Sequence, residues 1–215
     1  MIRSRTRPVV FPQLEHARLA GTIASLFGNA AFDPPPLPPL SFVAGVSLHD
    51  RGYGPLDASD LFALLETEWL AITRRGFDAA CSDPVADLVV KLHLRRLARR
   101  SVLAAEMEAA IQARLRGAGL AAEAFERGDR ITDLCDRIAL DFCQERPATG
   151  QVAVHARNEG SELVEVKYRI DGAEIRVDPW PLSVERYSTF VIGYDSAGYP
   201  ERLDPVVAPV RLIPG

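Results

Sequence analysis

Ser47-Leu48-His49-Asp50-Arg51-Gly52-Tyr53 sets a histidine and an aspartate side by side at the end of a stretch with helical spacing. An imidazole nitrogen and a carboxylate oxygen form a mixed donor set that suits Mn, Fe or Zn better than Ca or Mg. Adjacent residues on a helix do not face each other, so an ion held by both lies in the angle between them and needs further ligands from other helices. With fifteen aspartates and four histidines in the chain, the dipeptide alone is cheap, and the flanking segments decide its meaning.

Upstream, Pro8 to Pro12, with Val9, Val10 and Phe11, reads as a short strand or extended lead-in. Gln13 to Phe27 carries Leu14, Leu19, Ile23 and Leu26-Phe27 at helical spacing, with His16 in the first turn and Gly28-Asn29 as a stop. The run Asp33-Pro34-Pro35-Pro36-Leu37-Pro38-Pro39 can be neither helix nor central strand and serves as a stiff connection. It delivers Ser41 as the N-cap of a second helix, which carries His49-Asp50 and ends at Gly52.

Downstream, a helix is expected from about Leu61 to Ala80, interrupted near Gly76. Ser82-Asp83-Pro84 opens a fourth helix running to about Arg100, with Val85, Leu88, Val89, Leu92 and Leu97 inward and His93 on or beside the buried face. Two more helices follow, Val102 to Leu115 and Asp129 to Gln144, the latter carrying Asp133, Asp136 and Asp141. After Pro147 the period changes to two: Val152/Val154, Val164 to Ile170, Ile175/Val177 and Tyr187 to Tyr194 read as strands. Turns are expected at Asn158-Glu159-Gly160 and Asp171-Gly172, and Pro179-Trp180-Pro181 breaks the pattern. The expected architecture is α+β: a helical unit over residues 1–146 and a small antiparallel sheet over 150–215, packed together as one compact unit.

A chain of 215 residues, 47% hydrophobic and 25% charged, has the composition of a soluble globular protein. Its net charge of -4 offers no general attraction to duplex nucleic acid. No stretch approaches the ~18 apolar residues of a membrane span. Cys135 and Cys143 sit about 12 Å apart along one helix, too far for a bridge, and with Cys81 they show no metal-type spacing, so a reduced cytoplasm is the simplest compartment. The Ala/Arg-rich helices are bacterial in style.

His16, His49 and His93 fall on three predicted helices and Asp136 on a fourth. The order of a lone histidine, His-Asp and a distant aspartate resembles the HD-domain superfamily of metal-dependent phosphohydrolases. Such residues there bind one ion on a helical bundle, and branches with extra histidines bind two. His49-Asp50-Arg51-Gly52 also resembles the His-Asp-x-Gly of the cyclic-dinucleotide phosphodiesterase branch, although Tyr53 replaces the lysine and the paired histidines are absent. A longer match resembles a bacterial family catalogued as a domain of unknown function. It comprises Gln13-x-x-His16-x-x-Leu19-Ala20-Gly21, His49-Asp50-x-Gly52-Tyr53, Leu92-His93-x-x-x-Leu97, Cys135-Asp136-x-x-x-Leu140-x-x-Cys143 and Pro179-Trp180-Pro181.

The HD resemblance implies a helical bundle of that type in which His16, His49, Asp50, His93 and Asp136 ligate a divalent transition metal (Mn, Fe or Zn), one ion rather than two. His93 and Arg51 are the candidate catalytic residues, and Gln13, Tyr53, Arg95 and Arg96 the candidate substrate contacts, for a small phosphorylated or nucleotide-like molecule. Many hydrolase relatives carry a glutamate where Tyr53 stands, so an acid or base must come from elsewhere. The expected activity is a metal-dependent phosphohydrolase or phosphodiesterase. A non-catalytic metal- or ligand-binding sensor module and a di-iron oxygenase are the alternatives, and a homodimer is one candidate assembly. Each residue also has a structural reading: His93 as a core histidine, Arg95 to Arg100 as a solvated helix end, Trp180 as a packing anchor, and His155 as a surface strand residue.

Overall fold

The computed structural model describes residues 1–117, 121–157 and 162–215. Among them are six α-helices: α1 (Gln13–Ser25), α2 (Pro39–Ser47), α3 (Glu66–Asp78), α4 (Pro84–Ala98), α5 (Ala104–Gly117) and α6 (Ala122–Cys143). Seven strands, β1 (Ile2–Arg3), β2 (Val9–Phe11), β3 (Ala148–His155), β4 (Leu163–Asp171), β5 (Glu174–Asp178), β6 (Tyr187–Asp195) and β7 (Pro205–Pro214), form one sheet in the order β1-β2-β6-β7-β5-β4-β3. The turn expected at Asn158-Glu159-Gly160 lies outside the described residues. No helix among those described is long and apolar enough to cross a membrane.

An HD-domain-like bundle followed by a small antiparallel sheet is therefore not the architecture. The chain is α+β with a larger, mixed sheet, because β1 and β2 come from the N-terminus and β5 pairs with β7 in parallel. Strands of two and three residues are too short to show a period, which is why β1 went unread. Strand β7 was hidden by Pro205, Pro209 and Pro214. The backbone N–H of Arg211 donates to Ala173 on the β5 side, so the nitrogen of Pro209, two residues earlier, turns the same way. There β5 has not yet begun, since its pairing with β7 starts at Arg211, and no ladder bond is lost.

One apolar cluster runs through helices and sheet, from Leu19, Phe42 and Leu88 to Val166, Ile175 and Leu212. Helix α4 is central: every residue from Val85 to Leu94 is buried, including Asp87, Lys91 and His93, as expected of a helix with neighbours on all sides. Asp83 caps it by accepting hydrogen bonds from the N–H groups of Val85 and Ala86 (2.9 and 3.0 Å). Leu97, expected inward, is instead 44% exposed, because the last turn of the helix turns Ala98, which is fully buried, to the core in its place. Helix α6 starts at Ala122, two turns before the expected Asp129, and buries the stripe Phe125, Ile131, Cys135, Ile138 and Phe142. Helix α3 is shorter than expected, and Gly76 lies inside it rather than interrupting it.

Helix α2 begins at Pro39, not at a Ser41 cap, because proline at the first helical position has no N–H to satisfy. It ends at Ser47, so His49-Asp50 sits in the turn beyond the helix. That turn is pressed onto α3 at Gly52, where an added Cβ would come 2.3 Å from the carbonyl oxygen of Ile72 and 3.1 Å from the nitrogen of Gly76. Both obstacles are backbone and cannot swing aside. Gly52→Ala should cost about 1–3 kcal/mol, read as a lower melting temperature; an unchanged melt would show that the turn has room to move.

Candidate metal centre

Four elements aim their side chains at one point. His16 lies on the inward stripe of α1 with Leu19, Ala20 and Ile23; His49 and Asp50 come from the turn after α2; His93 comes from α4 and Asp136 from α6. The three imidazoles are at most 1% exposed. Their rings touch in sequence, with centroids 4.8 Å apart for His16 and His49 and 4.5 Å for His49 and His93. Two overlapping groups have the closeness that a metal ion needs, His16–His49–Asp50 and His49–His93–Asp136, each with its ligand atoms within 4.8 Å of one another.

Hydrogen-bond chemistry assigns the protons on the rings. The Val46 carbonyl can only accept, so His49 Nδ1 donates to it at 2.6 Å and carries the hydrogen. Asp136 Oδ1 likewise accepts from His16 Nε2 at 2.8 Å. Arg96 Nη2 can only donate, so His93 Nδ1, 3.0 Å away, accepts, and the neutral ring carries its proton on Nε2. This leaves His16 Nδ1, His49 Nε2 and His93 Nε2 buried with no hydrogen-bond partner. Buried polar atoms are rarely left so. Orientation of a metal-binding imidazole by a bond at its other nitrogen is the usual supporting arrangement, and His16 and His49 both have it. The donor set of the first group is one that could hold a divalent ion, through His16 Nδ1, His49 Nε2 and Asp50, with Asp136 beside it, 3.3 Å from His49 Nε2.

The two carboxylates dominate the electrostatics, and a metal ion would have to displace the proton that they hold on His49. Burial opposes charge on His49, but Asp50 and Asp136 outweigh it and raise its pKa to about 9. Burial likewise opposes ionisation of Asp50 and Asp136, yet the surrounding histidines hold both carboxyls below their usual range. His93 is pushed down, by burial first and then by the charge on His49. A histidine raised in the fold contributes stability below its unfolded pKa near 6.5 and loses it as pH rises through about 9. The lowered His93 acts in the opposite sense, with its gain complete just above pH 6.5. Among the charged neighbours, Arg96 stays cationic and both carboxylates stay ionised throughout. Chelator-treated protein should therefore lose thermal stability between pH 7 and 9, and a flat or rising melting temperature over that interval would contradict this assignment.

The other sequence-nominated residues divide. Arg96 reaches the cluster: besides His93 it pairs with Asp129 and with Asp133 (3.1 Å), and its Nη2 lies 3.9 Å from Asp136. Asp129, Asp133 and Asp136 form an i, i+4, i+7 stripe on α6, a signal that could have marked the first two as supports of the site. Tyr53 lies beside Asp50, and burial plus the charges of Asp50 and Asp136 push its phenol above the ordinary range. Gln13 and Asp50 line one cavity next to the cluster.

Arg95 is not at the site, because it forks onto Glu126 and Glu108 at the surface. Arg51 lines that cavity too, but its guanidinium is committed elsewhere, to the carbonyls of Gly76 and Ala79 and to Asp87. It positions the His49-Asp50 turn rather than reaching a reacting group. Asp87 and Lys91, which complete that anchor, were missed because an i, i+4 acid–base pair ordinarily marks a solvated face. Cys135, although next to Asp136, is a free thiol that burial and the Asp136 charge keep protonated.

No functionally curated protein and no solved structure matches this chain. A family model described as "Protein of unknown function (DUF3891)" matches residues 1–195, a span that takes in all six helices, the whole His/Asp cluster and the sheet through β6. By that match over most of its length, the chain belongs to the DUF3891 family.

Proposed function

We propose that the protein is a metal-dependent phosphohydrolase or phosphodiesterase acting on a small phosphorylated molecule. The observation that carries this reading is the convergence of three buried imidazoles, each with an unpartnered ring nitrogen, on two ionised carboxylates. The order of these residues along the chain, similar to that of HD-superfamily phosphohydrolases, adds support. His16, His49, Asp50 and Asp136 would hold one divalent ion. Such an ion lowers the pKa of a bound water and stabilises charge on phosphoryl oxygens.

The chain's own groups have distinct tasks. The Val46 carbonyl and Asp136 orient the rings of His49 and His16. Arg96 keeps His93 in the Nε2–H form, which leaves a neutral donor pointing into the cluster, 3.7 Å from Asp50 Oδ1. That N–H suits a phosphoryl oxygen and takes over the polar role that a glutamate at Tyr53 would have filled. Because His93 offers a hydrogen rather than a lone pair at Nε2, the arrangement favours one ion over two. The test is elemental analysis of untagged, natively purified protein, with phosphate release from a panel of phosphomonoesters and cyclic dinucleotides. Near-stoichiometric Mn, Fe or Zn with turnover supports the reading, and protein that stays metal-free in metal-supplemented buffer overturns it.

A second reading, a binding module without turnover, is favoured by one feature: Tyr53 stands where a general acid or base would be expected. Bound metal and tight ligand binding without phosphate release would select it.

A further inference from the structure

Two cavities among the described residues are lined by Asp50, which also belongs to the His16–His49–Asp50 group. The one that Tyr53 also lines measures about 10 Å³ and has room for no more than a water molecule. The other measures about 210 Å³, roughly seven times the ~30 Å³ that a water takes up in the liquid, so a fragment of about seven non-hydrogen atoms fills it. Leu14, Ala17, Leu48 and Pro55 supply its apolar wall. Leu14 and Leu48 are 48% and 39% exposed, so their side chains are open to an occupant. Two exposed leucines on one cavity are uncovered apolar surface of the kind that ligand-binding grooves leave open.

The polar groups of that cavity give a sugar or an anion little to grip. Gln13 is fully buried, so its amide meets no occupant. Arg51 spends its guanidinium on Asp87 and on the carbonyls of Gly76 and Ala79. The Asp50 carboxylate repels an anion, and Ser47 supplies one neutral hydroxyl where a polyhydroxylated ligand needs several. What remains is a contact surface for carbon. Asp50 also links the cavity to the cluster, because its side chain is 11% exposed and stands in a group able to hold an ion. An apolar fragment seated against Leu14 and Leu48 thus sits with its polar end at the histidine–aspartate cluster.

We propose that this cavity binds a short apolar chain or unsubstituted ring of about six or seven carbon atoms, and that it selects a phosphomonoester of an apolar alcohol as the substrate of the metal centre. This names a substrate class for the hydrolase reading and rests on that reading for the phosphate alone. The apolar recognition belongs to the cavity.

Ethyl, butyl, hexyl and octyl phosphate, with glycerol phosphate as the polar reference, are offered to the natively purified protein. Along the series kcat/KM should rise about two- to fourfold for each added methylene, fourfold being full burial, and level off beyond hexyl, where the cavity is full. Leu14→Asn and Leu48→Asn, at two partly exposed positions, each test the cavity should the other not fold. Either should lower the advantage of hexyl over ethyl phosphate on the order of tenfold. Hexanol, which carries no phosphate, tests the cavity without the metal: it should shift the Leu14 and Leu48 methyl resonances in NMR spectra where glycerol does not. A kcat/KM independent of chain length, or hexanol that leaves both leucines unmoved, overturns the proposal even if metal and phosphate release are found. Hexanol binding at both leucines in a protein that releases no phosphate upholds the cavity assignment and removes the hydrolase.

Discussion

His49→Ala should abolish both bound metal and phosphate release while leaving the fold intact. The imidazole belongs to both metal-sized groups in the cluster, so no arrangement of the remaining residues keeps three ligands and the closeness of the original set. Loss of residues that merely orient a ligand typically costs 10–100-fold in metal affinity or activity, and loss of a shared ligand should exceed about 100-fold. Destabilisation of the apoprotein should be at least that of an ordinary core deletion, because removing His49 also takes away the cation that Asp50 and Asp136 hold charged and leaves both carboxylates buried without it. His49→Gln serves as a second variant that fills the same space without an imidazole nitrogen. Metal analysis by mass spectrometry, with circular dichroism for the fold, reads the result. Wild-type levels of metal in both variants would disprove the role given to this residue.

The second large effect lies behind the site. Asp87 is buried and its Oδ1 faces two cations, Arg51 at 2.8 Å and the buried Lys91 at 3.0 Å, while Arg114 approaches Oδ2 at 3.2 Å. Lys91 also donates to the Phe77 carbonyl and lies over the Phe77 ring, so its stem is fixed and its charge cannot reach water. Asp87→Ala leaves that ammonium without a counter-charge, a defect that typically costs about 3–5 kcal/mol. For a domain of this size that corresponds to a fall on the order of 10 °C in melting temperature. The double variant Asp87→Leu/Lys91→Leu removes both charges and should recover much of the loss, since apolar pairs often replace buried ion pairs without penalty. Metal affinity should fall in Asp87→Ala as well, because Asp87 holds Arg51, and Arg51 ties the His49-Asp50 turn to the last carbonyls of α3. A fall of less than about 2 °C would show that the pair is dispensable.

Helix positions were legible wherever one periodic stripe met a start or stop signal. Asp83-Pro84 opened α4 because its side chain and ring act within one turn, with no help from the rest of the fold. The sheet was legible where strands exceeded four residues, hence β3 to β6, and at β2, where Pro8 and Pro12 bracket Val9 to Phe11 as a short strand or extended lead-in, but not in β1 or the proline-bearing β7. The parallel pairing of β5 with β7 depends on which strand fills the gap beside β6, a choice made by the whole sheet and by no local pattern.

The histidines and aspartates of the cluster were visible as residue types on separate segments, because donor chemistry belongs to the side chain and helical spacing belongs to the local chain. Which nitrogen each ring presents was decided only in three dimensions, where Val46, Asp136 and Arg96 each meet an imidazole. The same holds for the arginines: Arg51, Arg95 and Arg96 are alike as letters. Partners brought from distant segments send the first to an anchor on α3 and α4, the second to a surface fork on Glu126, and the third into the cluster. Hydrogen bonds and charge pairs act over a few ångströms, so they follow from the packed fold and not from the order of residues along the chain.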